Sequence, residues 1–373
     1  MKAPPGAPRA AAALAVSARH DCSAVTGRTA SMSDATYTVE LAPGGEVFDV
    51  NDDETILDAA LRQGINLQYG CRHGNCSTCK YQIEDGEVDH GHASAYALPD
   101  REREEGLALL CCAKPQTDLL IRDKRLPDAR ARPFLRPSTQ QGEVLACTQL
   151  TPELWELRVA LPSALAFHAG QFVELGLGDP AAPVWRSYSM ASPPSSPREL
   201  SFVMKRIEGG AFSSRLGQLA AGTPVVVRGP FGSSYLRDGA RPVLLCAIGS
   251  GIAPVLSMLR DAAERGDTRA FRLFYGARRP ADLPYADELS GLGRRLPGGF
   301  GFVATLDGLE PGDAWTGASG NVTQAVQREV EDAHALDAYL CGAPAMCDTV
   351  ARLLQAKGLP EHQLFFDRFF AAS

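Results

Sequence analysis

The chain has 373 residues, 45% of them hydrophobic and 22% charged, a composition typical of a globular protein. At roughly 100–200 residues per domain, this length predicts roughly two to four domains. The 44 acidic and 37 basic residues give a net charge of −7, which disfavours nucleic-acid binding because that class carries a basic excess. No stretch approaches the roughly 18 consecutive apolar residues of a membrane-spanning helix, so no such helix is predicted.

The negative charge is concentrated in residues 35–126, which hold 17 acidic and 9 basic residues, whereas residues 127–373 hold 25 acidic and 24 basic residues. Residues 1–34 are rich in Ala, Arg, Pro and Ser and lack a periodic apolar face. They are predicted to be a disordered extension, or the product of a start codon assigned upstream of Met32. An acidic module is therefore attached to a nearly neutral body.

The pattern of residues 35–126 predicts a small α+β domain. A loop rich in Gly and Cys follows its first helix, which is expected to stop at Gly64. The Pro- and Arg-rich stretch 127–137 is predicted to be a linker. The strands are expected at 36–41, 46–50, 80–84, 107–111 and 118–122, and the helix at 56–63.

The nearly neutral body divides into two patterns. Residues 138–238 alternate short strands with turn residues, which predicts an antiparallel β-barrel. Residues 239–373 alternate strands with helices, which predicts a doubly wound parallel α/β sheet. Barrel strands are expected at 143–147, 154–160, 171–175, 185–190, 200–205 and 224–228. In the last domain, strands are expected at 242–248, 271–276, 300–306 and 336–341, and helices at 252–265, 283–291, 319–331 and 344–357.

Five of the ten cysteines lie within 42 residues, which indicates metal ligation in a reducing compartment, the cytoplasm. Cys71, Cys76 and Cys79 have C-x4-C-x2-C spacing, and Cys111 stands 32 positions beyond Cys79. This is the spacing of a plant-type [2Fe–2S] cluster, whose two irons need four thiolates. Gly70 and Gly74 can supply the tight turns that bring backbone N–H groups to the sulfurs.

Other metal centres fit this loop less well. A zinc site would show two C-x2-C pairs, and only Cys76 and Cys79 make one. A Rieske centre would need two histidine ligands, and His73 supplies half of that motif. Haem attachment would need a histidine after Cys79, where Lys80 stands. From spacing alone the fourth ligand is either Cys111 or its neighbour Cys112.

The cysteine loop resembles that of plant-type ferredoxins, and the resemblance covers about residues 35–126 and implies a β-grasp fold. In ferredoxins the last ligand is followed four positions later by proline. Cys111 stands in that relation to Pro115, and Asp118 follows, so the resemblance favours Cys111. Cys112 would then point to the opposite face of the predicted strand.

Residues 186–190, Arg-Ser-Tyr-Ser-Met, followed by a glycine pair and a predicted helix at 211–219, resemble the ferredoxin-reductase superfamily of flavoproteins. The resemblance implies that Arg186 pairs with the flavin pyrophosphate, Tyr188 packs on the flavin and Ser189 lies near its N5 atom. A guanidinium suits a pyrophosphate. Gly210 and Ser213 would open a helix that takes a phosphate. The resemblance also implies FAD rather than FMN.

Glycines at a strand-to-helix turn admit a pyrophosphate to the helix N-terminus, and Gly249 and Gly251 are placed for this role, with Pro254 in the first helical turn. The superfamily resemblance implies a nicotinamide coenzyme here. It also implies that a second strand-to-helix turn lies against the nicotinamide, with a small cysteine side chain beside the nicotinamide ring. The residues of this second turn are Cys341, Gly342 and Pro344.

The coenzyme prediction depends on the turns after the second and third strands of the last domain. Asp307 follows the third strand without an arginine, which favours NADH, because NADPH users need cations at the 2′-phosphate. Arg278 and Arg279 after the second strand are contrary evidence. We therefore expect NADH, with NADPH as the alternative.

The domain order resembles reductase components of bacterial multicomponent oxygenases. The stretch 71–92, together with Leu-Leu-Cys-Cys at 109–112, particularly resembles those of soluble di-iron monooxygenases acting on methane, propane, alkenes, phenol or toluene. The resemblance implies electron transfer from NADH through FAD and a [2Fe–2S] cluster to an oxygenase. No acid–base residue is predicted, because the cofactors do the chemistry. The acidic domain is expected to dock transiently on a basic patch of the oxygenase, although solubility also explains its charge.

Other functions share parts of this sequence pattern. A reductase serving an aromatic-ring dioxygenase with a Rieske acceptor would have the same architecture. A redox sensor or a zinc-stabilised binding protein would show no turnover. A di-iron oxygenase would need two Glu-x-x-His helices, and Glu87–His90 and Glu331–His334 match only by count. The aromatic C-terminus, 364–370, is predicted to be a last strand without a catalytic role.

Overall fold

The computed structural model describes residues 35–123, 128–179 and 182–370. The predicted N-terminal extension therefore lies outside the described residues, as does the start of the predicted linker. No helix within the described ranges has the length and hydrophobicity needed to cross a bilayer. The boundaries given above for the extension, the linker and the three domains remain predictions.

The acidic region forms a mixed five-stranded sheet of order β2-β1-β7-β3-β5, in which only β1 and β7 run parallel, packed against helix α1. Helix α1 begins where the Thr55 side chain accepts a hydrogen bond from the Asp58 N–H, and it ends at Gly64, whose φ of 86° needs glycine. The elements are β1 (Thr36–Ala42), β2 (Glu46–Asn51), α1 (Ile56–Gln63), β3 (Lys80–Asp85), β4 (Val88–Asp89), α2 (Asp100–Glu104), β5 (Leu107–Leu109), β6 (Lys114–Pro115) and β7 (Leu119–Arg122).

The middle region is a six-stranded antiparallel sheet of order β11-β10-β13-β8-β9-β12. A bridge between Met190 and Phe202 joins its two outer strands, so the sheet curls on itself as the predicted barrel requires. Its strands are β8 (Ser138–Gln149), β9 (Leu154–Ala160), β10 (Phe172–Leu177), β11 (Val184–Ser189), β12 (Glu199–Lys205) and β13 (Pro224–Phe231).

The helix predicted at 211–219 is wrong in type and length. The structure has a six-residue 3₁₀ helix, Ser213–Gln218, in its place. Ser214 Oγ bonds back to the Gly210 carbonyl oxygen at 2.6 Å, and Gly217 has low helix propensity. Ser213 Oγ accepts a 3.2 Å hydrogen bond from the Ile207 N–H, so this hydroxyl closes the preceding turn.

The last region is a six-stranded sheet of order β17-β16-β15-β14-β18-β19, and all its pairs are parallel, as predicted. Its carboxyl strand ends meet at one edge, where ligands bind in such sheets. Its elements are β14 (Val243–Ile248), α3 (Ile252–Arg265), β15 (Phe271–Ala277), α4 (Ala286–Gly293), β16 (Phe300–Leu306), β17 (Ala318–Ser319), α5 (Val322–Glu329), β18 (Asp337–Gly342), α6 (Pro344–Ala356) and β19 (Leu364–Arg368).

The described part of the predicted linker contains neither helix nor strand, but it is tied to the last domain by ion pairs. Arg130 Nη1 donates to both carboxylate oxygens of Asp337 at 2.7 Å, and Asp337 is fully buried at the start of β18. Arg132 Nη2 lies 2.7 Å from Asp238 Oδ1. This stretch therefore fixes the last domain against the chain that precedes the barrel.

Arg130→Ala is expected to lower the free energy of unfolding by about 3–5 kcal/mol, because the buried Asp337 carboxylate loses both 2.7 Å hydrogen bonds and is left with Arg241 at 3.9 Å. Thermal and urea unfolding of the holoprotein would measure the loss. Arg158→Ala is the matched control, since it removes an arginine from a pair with Glu199 in which both side chains are nearly half exposed. Such pairs contribute about 0–1 kcal/mol. Equal losses in the two variants would contradict a buried anchor.

Candidate functional site

The structure brings the predicted cluster ligands together as two pairs of thiols. A hydrogen bond with Cys71 lowers the pKa of Cys76 to about 6, and hydrogen bonds with Cys112 and Cys79 lower the pKa of Cys111 to about 3. Hydrogen bonding with their partners, together with burial, raises the pKa of Cys71 and of Cys79. Cys71 thus contacts Cys76, and Cys111 contacts both Cys79 and Cys112, so the loop gathers enough thiols for a cluster whose two irons need two cysteine ligands each.

The loop backbone is shaped to surround these sulfurs. The Cys71 N–H points at Cys76 Sγ and the His73 N–H at Cys71 Sγ, both at 3.3 Å. A Cβ added at Gly70 would lie 3.1 Å from Cys76 Sγ. Gly74 has a φ of 71°, and a Cβ there would lie 2.7 Å from Cys112 Sγ. The predicted role of the two glycines, close approach of backbone to sulfur, agrees with these contacts.

The expectation that Cys112 points away from Cys111 across a strand is wrong. Strand β5 ends at Leu109, and the Cys112 N–H bonds to the Leu109 carbonyl oxygen at 2.9 Å, which forms a turn. Both side chains are buried, and their sulfurs are 3.7 Å apart. Because a turn does not alternate its side chains as a strand does, both thiols face the cluster loop.

The thiols fit a binuclear cluster better than a single ion. Among the described residues no group of three His, Cys, Asp or Glu side chains is placed to hold one metal ion. Four thiols, three of them buried and Cys71 partly buried, with backbone N–H groups aimed at the sulfurs of Cys71 and Cys76, fit the donor set of a [2Fe–2S] centre. Cys71, Cys76 and Cys79, with Cys111 as the predicted fourth ligand, would hold it.

The predicted flavin residues lie on β11, an outer strand of the barrel sheet. Arg186 is half-buried, and its Nη1 donates to the neighbouring Trp185 carbonyl oxygen at 2.8 Å. The Tyr188 ring lies 5.1 Å from the Phe212 ring, centroid to centroid. Ser189 ends the strand and is buried. The guanidinium, the aromatic ring and the hydroxyl of these three side chains are the chemical groups predicted to bind the flavin.

Ser189 also contacts a residue that the sequence did not single out. Its Oγ donates a 2.7 Å hydrogen bond to Asp367 Oδ2 on β19. Burial raises the pKa of Asp367 to about 6, although the hydrogen bond from Ser189 acts in the opposite direction. Asp367 pairs with Cys341 in the parallel ladder. The strand predicted to lack a catalytic role therefore places a carboxyl group between the barrel and the predicted nicotinamide turn.

A cavity of about 840 Å³ lies at the carboxyl edge of the parallel sheet. It contains two predicted coenzyme glycines, Gly249 and Gly342. At its other end are the charged groups Arg278, Asp282 and Asp307. Its further lining is 151–154, Lys205, Ile207, Ile248, Ser250, Gly276, Ala277, Arg279, Thr305, Gly308, Glu310, Asn321, Val322, Ala343, Phe369 and Phe370.

The two predicted coenzyme turns touch each other at Gly251. A Cβ added there would lie 2.6 Å from the Cys341 carbonyl carbon and 3.0 Å from Gly342 Cα. Cys341 is fully buried at the end of β18, and its burial raises the pKa of the thiol. The absence of a side chain at Gly251 therefore lets the pyrophosphate turn and the predicted nicotinamide turn pack together. Pro254 and Pro344 stand in the first turns of α3 and α6.

Comparison with known proteins identifies the three regions. Residues 39–116 match the 2Fe-2S iron-sulfur cluster binding domain, residues 141–235 the oxidoreductase FAD-binding domain and residues 244–352 the oxidoreductase NAD-binding domain. Over 343 residues the chain is 39% identical to the reductase component of phenol 2-monooxygenase from Pseudomonas sp. (strain CF600), which spans 90% of this chain and 95% of that protein. The chain belongs to this family of oxygenase reductase components.

Other members of the reductase family agree in length and fold. The reductase component of propane 2-monooxygenase from Mycolicibacterium goodii is 37% identical over 341 residues, 89% of this chain and 97% of its own. The crystal structure of a cytochrome P450 reductase from Amycolatopsis superposes with a TM-score of 0.79 at 30% identity, over 90% of this chain and all of the other. The ferredoxin reductase of carbazole 1,9a-dioxygenase gives 0.72 at 27% identity, over 90% of this chain and 99% of its own.

This reductase is therefore an oxidoreductase that uses a [2Fe–2S] cluster, FAD and NAD(H). The predicted fold class is confirmed, and so is the predicted resemblance to reductase components of multicomponent monooxygenases. The individual ligand and binding residues stay predictions, supported by the thiol pairs, the Ser189–Asp367 contact and the packed glycine turns.

Proposed function

We propose that the chain is the reductase component of a multicomponent monooxygenase, which takes electrons from NADH and delivers them to the oxygenase component. The contact that carries the proposal is that between Ser189 on the barrel and Asp367, because it joins the flavin strand to β19, where Asp367 is the ladder neighbour of Cys341. FAD held here would supply the chemistry that converts a two-electron hydride donor into single electrons for the cluster.

The side chains orient the bound groups and exclude water. Arg186 would hold the flavin pyrophosphate, and the partly buried Tyr188 would cover the flavin. Ser189 is held by Asp367, so its hydroxyl has one fixed direction. Gly249 and Gly251 would admit the coenzyme pyrophosphate at the start of α3. No residue is assigned as a general acid or base.

The test of this proposal is the spectrum of the purified holoprotein. Flavin bands and a [2Fe–2S] spectrum are expected together, and anaerobic NADH should bleach both. The reduced flavin should donate electrons to ferricyanide, and the reduced cluster should donate electrons to the oxygenase. A colourless or zinc-containing protein, or flavin that NADH does not reduce, would overturn the proposal.

The coenzyme preference is proposed from the charges at one end of the cavity. Asp282, Asp307 and Glu310 line this end. Arg279 Nη2 lies 2.9 Å from Asp313 Oδ1 and its Nη1 lies 3.1 Å from Glu310 Oε1, so acidic partners already hold this guanidinium. A 2′-phosphate would meet three carboxylates beside the single remaining arginine, Arg278, so the balance of charge supports NADH over NADPH.

Asp307→Asn is expected to raise kcat/KM for NADPH by about tenfold, the factor that corresponds to removing about 1.4 kcal/mol of repulsion. Steady-state ferricyanide reduction with each coenzyme measures the ratio. Asp287→Asn on α4 is a matched control, because Asp287 is exposed and does not line the cavity. A wild-type preference for NADPH, or an unchanged ratio in the variant, would contradict the assignment.

The acceptor is proposed to dock on the acidic iron–sulfur domain. Between residues 84 and 105 the chain has eight acidic and two basic residues, and Tyr96 within this stretch is 72% exposed. Oxygenase reduction should slow as salt is added, while ferricyanide reduction by NADH changes less. A rate indifferent to ionic strength would count against electrostatic docking.

A reductase of an aromatic-ring dioxygenase is the second candidate. The electron transfer component of toluate 1,2-dioxygenase from Pseudomonas putida is 34% identical over 334 residues, 87% of this chain. Reconstitution with a di-iron hydroxylase and, separately, with a Rieske oxygenase would decide between the two acceptors. The cytoplasmic location stays a prediction.

A further inference from the structure

The loop that carries the first cluster ligand lies directly against the flavin barrel. His73 Nε2 is 2.9 Å from Ser187 Oγ on β11, between the predicted flavin residues 186 and 188. Ser233 Oγ donates a 2.7 Å hydrogen bond to the Tyr69 carbonyl oxygen. These polar contacts join the loop to the barrel on both sides of Cys71.

Arg72, the residue after this ligand, is the central side chain of the boundary, and its side chain is only 9% exposed. Its Nη2 lies 2.6 Å from Asp58 Oδ1 on α1, and its Nη1 lies 2.7 Å from Glu174 Oε1 on β10. The guanidinium also covers the Phe231 ring, 3.8 Å from the centroid. One side chain thus connects the helix of the iron–sulfur domain, the cluster loop and two barrel strands.

The surroundings of Arg72 make this connection tight. Phe172 and Phe231 of the barrel belong to the same hydrophobic core as the side chains of the iron–sulfur domain. Glu174 is itself buried and also accepts a 2.7 Å hydrogen bond from Arg228 Nε. A buried carboxylate flanked by two arginines is compensated, whereas one that lost a partner would be left partly unpaired.

The backbone at Arg72 indicates that the side chain is needed there. Its φ is 63°, in the left-handed region that glycine adopts at little cost and that other residues rarely adopt. A glycine at this position would relax the turn, but it would remove the contacts that the Arg72 side chain makes with the barrel. The ion pairs and the ring contact of Arg72 offset the unfavourable conformation.

We propose that Arg72 is a positioning residue that holds the cluster loop on the flavin barrel and thereby sets the rate of electron transfer from flavin to cluster. This inference rests on the proposed function, in which NADH supplies two electrons and each transfer oxidises the flavin and reduces the cluster by one electron. Arg72 touches neither coenzyme nor acceptor in this role. It acts through the position of Cys71.

Stopped-flow mixing of the holoprotein with NADH under anaerobic conditions separates the two steps. In Arg72→Leu the flavin-reduction phase should be unchanged, while the cluster-reduction phase slows about tenfold, as expected if only about one molecule in ten has the loop docked. Glu174→Gln, which alters the barrel side and leaves the cluster loop intact, should slow the same phase. Arg228→Gln is the matched control, because Arg228 binds the same carboxylate without touching the loop, and it should not slow this phase.

Iron and flavin contents of each variant show that the cofactors are loaded. If Arg72→Leu binds iron poorly, Glu174→Gln decides the question. Cluster reduction at the wild-type rate in Glu174→Gln overturns the positioning role, as does equal slowing in Arg228→Gln. If wild-type flavin is not reduced by NADH, the proposed function fails instead, so the two failures are distinguishable.

Discussion

Replacing Cys76 with serine is expected to abolish reduction of the oxygenase, or of another ferredoxin-dependent acceptor, while ferricyanide reduction by the flavin continues. Cys76 is buried and hydrogen-bonded to Cys71, and its sulfur is approached by the Cys71 N–H. A serine oxygen is a poor substitute for thiolate at iron. Loss of even a supporting group at a metal site costs about 10–100-fold, so loss of a ligand should exceed that range.

The measurement compares two acceptors in the same preparation, together with the iron content. Cys147→Ser is the matched control, because the Cys147 thiol donates to the Leu216 carbonyl oxygen at 2.9 Å and a serine hydroxyl can replace that bond. It should retain both activities. If Cys76→Ser reduces both acceptors as the wild type does, the relay order through the cluster is wrong.

The same assay distinguishes the two adjacent cysteines. Cys111→Ser should lose iron and acceptor reduction, and Cys112→Ser should keep both, since Cys111 shares a hydrogen bond with Cys79. Retention in Cys111→Ser with loss in Cys112→Ser would reverse the assignment of the fourth ligand.

Gly251→Ala is expected to reduce kcat/KM for NADH by about 100-fold while FAD content stays unchanged. The added methyl group would overlap the carbonyl group of Cys341, which must move with the whole second coenzyme turn. A displacement of about 1 Å at a reacting group can cost about 100-fold in rate. Its φ of −61° is ordinary, so the effect comes from the contact and not from backbone strain.

The test is NADH reduction of the bound flavin, with dithionite reduction as the internal reference. Gly291→Ala on α4 serves as the matched control, because an added Cβ there would meet only the end of the Arg294 side chain at 3.7 Å. That variant should reduce flavin as the wild type does. Normal NADH kinetics in Gly251→Ala would refute close packing of the two turns.

Most of the architecture follows from local patterns in the sequence. The cysteine spacing predicts the cluster loop, since the ligands lie close together along the chain. Alternation of strands and helices after residue 242 predicts the parallel sheet, because each strand requires a crossover before the next parallel strand. Gly64 correctly predicts the end of α1, because a glycine that ends a helix in the left-handed conformation is a purely local signal.

The errors and omissions arise where distant segments meet. The end of β5 before Cys111 is set by a turn whose hydrogen bonds return to Leu109, and the residue types there do not reveal it. Ser189 and Asp367 are 178 residues apart, so no local pattern joins them. The one available signal was a single carboxylate within the aromatic stretch 364–370. Arg72 gave no signal, because an arginine in a loop is usually solvated.

The barrel covers one side of the cluster loop, so we expect electrons to reach the cluster from the flavin on that side and to leave it for the acceptor on another. His73 contacts the flavin strand and Arg72 contacts β10 and β13, so we expect an oxygenase to approach a docked domain from another side. The loop's other side is bordered by Ser94, whose hydroxyl donates to the Gly74 carbonyl oxygen at 2.9 Å, and by the exposed Tyr96. If the oxygenase docks on that other side, we expect that NADH can reduce the flavin again while the partner stays bound, so that the two electrons of one turnover can pass within a single complex.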